Sequence, residues 1–207
     1  MTRYGMAIDK TKCIGCKTCL MACKVSNNLP KDVWYSRLVS SGDPDVADSA
    51  QGTYPDISMD YYTIGCQHCD NPACVGACPT GASYVDEASG TVQINGDDCI
   101  GCKACIQACP YDVRTLIDSE PEYYLDHAVG VASAPDHKFG VVEKCTFCKN
   151  LIDAGEEPAC MQLCPGRARW WGDIDDPNSE LSKFLAERDY DVLEEDAGTK
   201  PRVFYLK

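Results

Sequence analysis

Phe and Trp are scarce in this 207-residue chain, 4 and 3 residues beside 11 Tyr, although its hydrophobic fraction, 44%, is ordinary for a globular protein. The interior must therefore be organised around something besides conventional core side chains. Long apolar runs are also missing: nothing approaches the ~18 consecutive apolar residues of a membrane-spanning helix. The opening Met1-Thr2-Arg3-Tyr4-Gly5 runs straight into a cysteine motif without a basic start and apolar stretch, so the sequence reads as having no signal peptide of its own. It is expected to be soluble, or membrane-associated only through a partner. Basic residues are in deficit, 19 Lys and Arg against 32 Asp and Glu, and the formal net charge of -13 argues against nucleic acid as a partner. No phosphate-cradling glycine loop leads into a helix.

What the sequence has in excess is cysteine, 16 residues in all. They fall into four groups of four. The first, Cys13, Cys16, Cys19 and Cys23, is spaced C-x2-C-x2-C-x3-C and is followed by Lys24. The second, Cys66, Cys69, Cys74 and Cys78, has two extra residues before its third cysteine and closes with Pro79. The third, Cys99, Cys102, Cys105 and Cys109, closes with Pro110 and matches the bacterial ferredoxin run. In the fourth, Cys145, Cys148, Cys160 and Cys164, eleven residues separate the two halves and Pro165 follows. No cysteine is left over as a nucleophile, and no catalytic residue is expected.

Two residues between thiolates let a tight loop wrap one iron-sulfur cluster with backbone N–H groups aimed at sulfur, and Gly15 and Gly101 suit such a turn. Three residues between the last two cysteines of each group would place both on one face of a short helix. In the ferredoxin pattern the fourth cysteine reaches the other cluster of a pair, and proline after it ends the helix. Zinc is the alternative for repeated C-x2-C pairs, but zinc ribbons need neither a third nearby cysteine nor a C-x3-C-P ending. Disulfides fit less well, because C-x2-C neighbours are poorly placed to bridge. The reading is four 4Fe-4S clusters, whose oxidised cores would add roughly eight more negative charges.

The internal repeat organises the sequence: two ferredoxin-like units of two clusters each account for the four motifs, in an α+β fold with loop insertions and a C-terminal helix and strand. Ala82 to Val85 and Thr91 to Ile94 read as a hairpin around Asp86 to Gly90. Short strands are expected at Tyr4 to Ile8, Tyr61 to Ile64, Phe139 to Val142 and Arg202 to Leu206. Lys31 to Asp60 and Asp118 to Asp136 read as loops or partner-contacting insertions. Asp176-Pro177-Asn178-Ser179 looks like a helix start, with Leu181, Phe184 and Leu185 as the apolar stripe behind it.

The four groups, in this order and with these insertions, resemble the iron-sulfur subunit of the dimethyl sulfoxide reductase family of molybdopterin oxidoreductases. The resemblance runs over Ile8-Asp9-Lys10-Thr11-Lys12-Cys13-Ile14-Gly15-Cys16, Cys69-Asp70-Asn71-Pro72-Ala73-Cys74, and Pro165-Gly166-Arg167-Ala168-Arg169 through Gly172 to Pro177. It implies that motif one pairs with motif four and motif two with motif three. One cluster would then take Cys13, Cys16, Cys19 and Cys164, and its neighbour Cys145, Cys148, Cys160 and Cys23. Of the inner pair, one would take Cys66, Cys69, Cys74 and Cys109, the other Cys99, Cys102, Cys105 and Cys78. Retention of Cys102, where some relatives have Trp, implies a 4Fe-4S rather than a 3Fe-4S cluster there. The outer unit would span 1–60 plus 135–207 and the inner unit 61–134.

The resemblance further implies an electron-transfer subunit that is no enzyme by itself. It would relay electrons between a quinol or other donor and a large molybdopterin (Mo or W) catalytic subunit of an anaerobic reductase, in some complexes with a membrane anchor. It implies a peripheral place at the cytoplasmic membrane, on the outer face by co-export with a twin-arginine partner, or else in the cytoplasm. A free soluble polyferredoxin is the alternative.

His68, between the first two ligands of motif two, is either a donor near a cluster or, more commonly for such a residue, an internally satisfied histidine. His127 and His137 are expected to be solvated. Trp170 and Trp171 lie on an electron path or partner surface, or else pack the core. Lys10, Lys12, Lys17 and Lys24 crowd motif one, whereas no Lys or Arg lies between the cysteines of motif two. If these lysines do more than solvate the surface, the motif-one cluster should be higher in potential and the motif-two cluster among the lowest.

Overall fold

The computed structural model describes residues 2–43, 46 and 48–207. In sequence order the elements are β1 (Tyr4–Asp9), α1 (Thr18–Ser26), β2 (Ser36–Ser40), β3 (Gln51–Thr53), β4 (Asp56–Ser58), β5 (Tyr61–Gly65), α2 (Ala73–Gly76), β6 (Ser83–Val85), β7 (Val92–Ile94), α3 (Ala104–Gln107), β8 (Thr115–Leu116), β9 (Val142–Glu143), α4 (Lys149–Asp153), α5 (Ala159–Gln162), β10 (Arg169–Asp173), α6 (Glu180–Glu187), β11 (Tyr190–Asp191) and β12 (Val203–Leu206). The fold is mixed α and β, with short helices and small sheets.

One four-stranded sheet, in the order β10-β1-β12-β11, gathers the two ends of the sequence. β1 pairs antiparallel with β10 and parallel with β12. Successive residues of a strand face opposite sides, and here both sides are covered. Met6 and Ile8 pack with Phe147, Val203 and Tyr205 on one face, while Ala7 meets Leu181 and Leu206 on the other. α6 supplies Leu181, and it begins as its sequence suggests: the Ser179 side chain accepts the Ser182 N–H at 3.0 Å, an N-cap that satisfies one of the otherwise unpaired first-turn amides.

Helix α1 packs against α5, and α2 against α3. These four helices carry or adjoin the third and fourth cysteines of the motifs. Only α1 holds both members of its pair, Cys19 and Cys23; α2, α3 and α5 each end before Cys78, Cys109 and Cys164. Proline directly after those three cysteines stops the helix, whereas Lys24 in motif one lets it run on to Ser26. The expectation of one helical face for the last pair therefore holds for motif one alone.

The hairpin β6–β7 forms with Ser83 opposite Ile94. The stretch read as loop from Lys31 to Asp60 contains structure: β2 pairs antiparallel with β5, and β3 and β4 make a small hairpin. Positions 44, 45 and 47 of that stretch, like Met1, lie outside the described residues. The strand expected at Phe139 to Val142 is only Val142–Glu143, paired with β8, because Gly140 takes a positive φ of 80° and Phe139 is exposed. The tail ahead of β12 fastens the main sheet to the motif-two loop, through Asp70 N–H to Lys200 O at 2.9 Å, Asn71 N–H to Thr199 O at 3.0 Å, and Arg202 N–H to Gln67 O at 2.9 Å.

Candidate metal centres

Each motif begins with the same backbone device. The residue just before the second cysteine has a positive φ: Gly15 at 66°, His68 at 44°, Gly101 at 66° and Phe147 at 60°. A left-handed residue in a tight loop turns successive N–H groups to one side and makes an anion-binding nest. Glycine marks two of these positions in the sequence; at the other two a buried side chain over-determines the strained conformation. Phe147 packs in the core with Met6 and Ile8, and the fully buried His68 meets the Phe147 ring edge-on at 5.1 Å.

Three cavities are walled by cysteine. One is lined by Cys13, Cys16, Cys19 and Cys164. Another is lined by Cys66, Cys69, Cys74 and Cys109. A third is lined by Cys23, Cys145, Cys148 and Cys160, together with Cys66. The remaining cysteines, Cys78, Cys99, Cys102 and Cys105, belong to the motifs whose helices α2 and α3 pack together. A zinc–thiolate site, with Zn–S about 2.3 Å, needs its sulfurs about 3.8 Å apart. Among the described residues no three His, Cys, Asp or Glu converge on a single metal ion. A cubane of iron and sulfide, bound by four thiolates, suits the four cysteines that wall each of these cavities.

Donors are aimed at the sulfurs. The amides of Phe147, Ala168 and Ser83 each lie 3.4 Å from Sγ of Cys145, Cys164 and Cys78 respectively. The Thr18 hydroxyl is 3.3 Å from Cys16 Sγ, and Asn27 Nδ2 is 3.6 Å from Cys23 Sγ. Burial, however, pushes the free thiols up: Cys23 and Cys145 far above their ordinary value, and Cys69 and Cys148 to about 11. Buried thiolates at these positions need positive charge, which iron supplies and which three buried cations assist.

Those cations come from outside the motif loops. Arg169 Nη1 is 3.7 Å from Cys160 Sγ and its Nη2 3.5 Å from Cys19 Sγ; the same guanidinium bonds the Thr63 hydroxyl. Arg114 Nη2 donates to Cys74 Sγ at 2.8 Å and to Ser83 Oγ at 3.0 Å. Lys144 Nζ donates to the carbonyls of Val92 at 2.5 Å and Cys145 at 2.8 Å, and its charge reaches Cys66, Cys145 and Cys74. Three buried N–H groups in this region have no partner among the described residues: Arg114 Nη1, Arg202 Nη1, and Nε2 of His68, whose Nδ1 accepts the Val92 N–H at 3.1 Å. Cluster sulfur is a chemically apt acceptor for those of Arg114 and His68. Burial holds His68 neutral, well below its ordinary value, and Lys144, Arg202 and Arg114 push it the same way.

The remaining candidates sort differently. His127 is exposed beside Asp126, as expected. His137 is not solvated: its side chain is 1% exposed, Nδ1 faces Glu143 Oε1 at 2.7 Å, and Nε2 faces Asn27 O at 2.8 Å. Burial alone would lower it, but the Glu143 carboxylate outweighs this and holds it above its ordinary value. Trp170 and Trp171 pack to opposite sides of β10. Trp170 lies 4.3 Å from the Phe184 ring and Trp171 5.2 Å from Tyr4. The lysines near motif one are largely occupied elsewhere: Lys10 pairs with Asp191, Lys12 stands over Trp170, and Lys24 Nζ donates to Pro30, Lys31 and Val33 carbonyls. Motif two, bare of Lys and Arg in sequence, has Arg114 and Lys144 beside it in space, which removes the basis for placing its cluster lowest.

A 4Fe-4S dicluster domain model matches residues 57–121 and 132–174, and a 4Fe-4S binding domain model matches 10–26. The protein is 41% identical over its full length to a candidate dimethyl sulfoxide reductase iron-sulfur subunit of Halobacterium salinarum, covering 79% of that relative. It is 40% identical to a polysulfide reductase chain of Wolinella succinogenes, over 99% of its own length and 94% of the relative. It is 36% identical to the arsenate respiratory reductase iron-sulfur subunit ArrB of Shewanella sp. strain ANA-3, over 99% and 96%.

Proposed function

The protein belongs to the iron-sulfur subunits of the dimethyl sulfoxide reductase family, and from that membership we propose that its four 4Fe-4S clusters form a single file for electrons. Numbering each cluster by the motif that gives its first three ligands, cluster I is held by Cys13, Cys16, Cys19 and Cys164. Cluster IV is held by Cys145, Cys148, Cys160 and Cys23, cluster II by Cys66, Cys69, Cys74 and Cys109, and cluster III by Cys99, Cys102, Cys105 and Cys78. The observation that carries this assignment is the lining of three cavities, each by the four cysteines of one set, with the fourth cysteine drawn from a different motif. The packing of α1 on α5 and of α2 on α3 supports two ferredoxin-like units, an outer one with clusters I and IV and an inner one with II and III.

The order I–IV–II–III follows from shared walls. Arg169 lines the cavities of both I and IV, and Cys66 lines those of both IV and II. Cys16 and Cys102, the two exposed cysteines, then fall in the terminal clusters, with Ile14 and Ile100 each 66% exposed beside them. Electrons would enter at one of these ends and leave at the other. Each hop would pass one electron from one cluster to the next, oxidising the first and reducing the second.

The partner at one end is a large molybdopterin-containing catalytic subunit, where the two-electron chemistry takes place; the relatives named above are components of dimethyl sulfoxide, polysulfide and arsenate reductases. Among the described residues no helix is long and apolar enough to cross a membrane; in this reading a partner or an anchor subunit supplies the attachment. The outer face is reached by export of the folded complex on a partner's twin-arginine signal. Anaerobic purification tests the reading: a large molybdenum- or tungsten-containing subunit should co-purify, and Cys164→Ser should alter cluster I while leaving cluster IV intact. A protein that purifies alone is the free carrier, and a Cys164→Ser change confined to cluster IV overturns the ligand exchange.

A further inference from the structure

Side chains that the cysteine motifs do not contain occupy all three junctions of this file. At the I–IV junction, Arg169 reaches Cys19 Sγ at 3.5 Å with one nitrogen and Cys160 Sγ at 3.7 Å with the other. At the IV–II junction, Lys144 is tied to the carbonyls of Val92 and Cys145, within electrostatic reach of Cys66 and Cys145. At the II–III junction, Arg114 donates to Cys74 Sγ at 2.8 Å and its charge reaches Cys105. All three are buried, so bulk salt screens them weakly. None has a carboxylate partner among the described ion pairs, so their charge is turned toward sulfur.

We propose that Arg169, Lys144 and Arg114 are positioning cations, one at each junction, each raising the reduction potential of both clusters it separates. The inference rests on the ligand sets and order given above. A cluster becomes more negative by one charge on reduction, and a cation in a low-dielectric interior favours the reduced form. A cation beside one cluster would open a step in the file. A cation shared between two raises both, keeping the hop between them close to level while making electrons easier to accept from a weak donor.

The test is an EPR-monitored redox titration of the intact complex, with clusters assigned by single Cys→Ser variants. Arg169→Gln should make reduction of clusters I and IV each about tenfold less favourable, a fall of about 59 mV for a one-electron couple, with II and III unmoved. Arg114→Gln should move II and III, and Lys144→Gln should move IV and II. Arg169→Lys keeps the charge and should stay near the parent potentials. The proposal is overturned if no potential moves, if only one cluster responds to each variant, or if Arg169→Lys moves as far as Arg169→Gln. Movement of two clusters other than those named would instead overturn the ligand sets while upholding the shared cation. Should Arg169→Gln lose iron, Lys144→Gln and Arg169→Lys decide the matter by the same readout.

Discussion

Gly101 and Gly81 have nearly the same left-handed backbone, φ 66° and 74°, and differ in what surrounds them. A Cβ on Gly101 would stand 2.6 Å from the carbonyl oxygen of Gly140, whereas one on Gly81 would meet nothing within 4 Å. Alanine at either position accepts the left-handed conformation at about 1–2 kcal/mol. At Gly101 the backbone must also move by several tenths of an ångström, because a carbonyl oxygen cannot rotate away as a side chain can. Gly101 lies between Cys99 and Cys102, so the movement falls on the loop proposed to wrap cluster III. Gly81→Ala should lower the Tm by roughly 2–8 °C, at about 2–4 °C per kcal/mol for a protein of this size, and keep about sixteen iron atoms per molecule. Gly101→Ala should lower it further and lose the cluster III EPR signal first, with iron falling toward about twelve. Thermal melts followed at the cluster absorbance, with iron analysis, make the comparison. Equal behaviour of the two variants would refute the view that the Gly101–Gly140 approach shapes this loop.

Further outcomes follow from the scaffold. Leu181, fully buried between α6 and the sheet, should cost about 3–5 kcal/mol on truncation to alanine; a thermal melt should show a Tm lower by roughly 6–20 °C with cluster potentials unchanged. Asp9 is buried and paired with Arg188, and it also accepts from the Thr11 hydroxyl at 2.6 Å and amide at 2.9 Å. Burial would raise its carboxyl, but Arg188 and Thr11 together hold it below the ordinary range. The pair's contribution is therefore full above the unfolded value of about 3.9 and lost only as pH falls through the lower folded value. In Arg188→Ala, burial acts against weaker opposition and the Asp9 value rises, so the Tm deficit should be constant well above that raised value and should narrow as pH falls through it; a deficit that stays constant down to about pH 4 would count against this account. Changing Trp170 to Phe should leave electron transfer rates unaltered in stopped-flow reoxidation, because its contacts are with Phe184 and Lys12.

The cysteine spacing is legible in the sequence because chemistry fixes it: a cluster demands four thiolates, and the loop that wraps it demands a short fixed interval. The hairpin, β1, β12 and α6 are legible because alternation, turn residues and the Ser179 cap are local signals. β2, by contrast, owes its existence to pairing with β5, twenty-five residues away from Ser36 to Tyr61 by position, and the intervening polar stretch hides it. Left-handed backbone at His68 and Phe147 carries no residue signature; the fourfold recurrence just before the second cysteine is the signal available, and glycine at only two of the four places obscures it. Charge counted along the sequence draws attention to the lysines of motif one. The cations set around the sulfurs are Arg169 and Arg114, which bond Sγ atoms, and Lys144, which bonds the Cys145 carbonyl; they are brought in by β10, by the turn after motif three and by β9's end, so only the tertiary fold reveals them. His137 looks solvated in sequence because it sits in a loop, and it becomes buried because its partners, Glu143 and Asn27 O, lie on elements packed beneath it.

In the proposed arrangement four sets of cysteine thiolates, each set completed from a second motif, hold four iron-sulfur cubes. Iron and acid-labile sulfide analysis of the anaerobically purified protein, with spin integration of the fully reduced sample, tests it most directly. About sixteen iron, about sixteen sulfide and four interacting spins per molecule are predicted. A colourless protein carrying zinc without sulfide would contradict it.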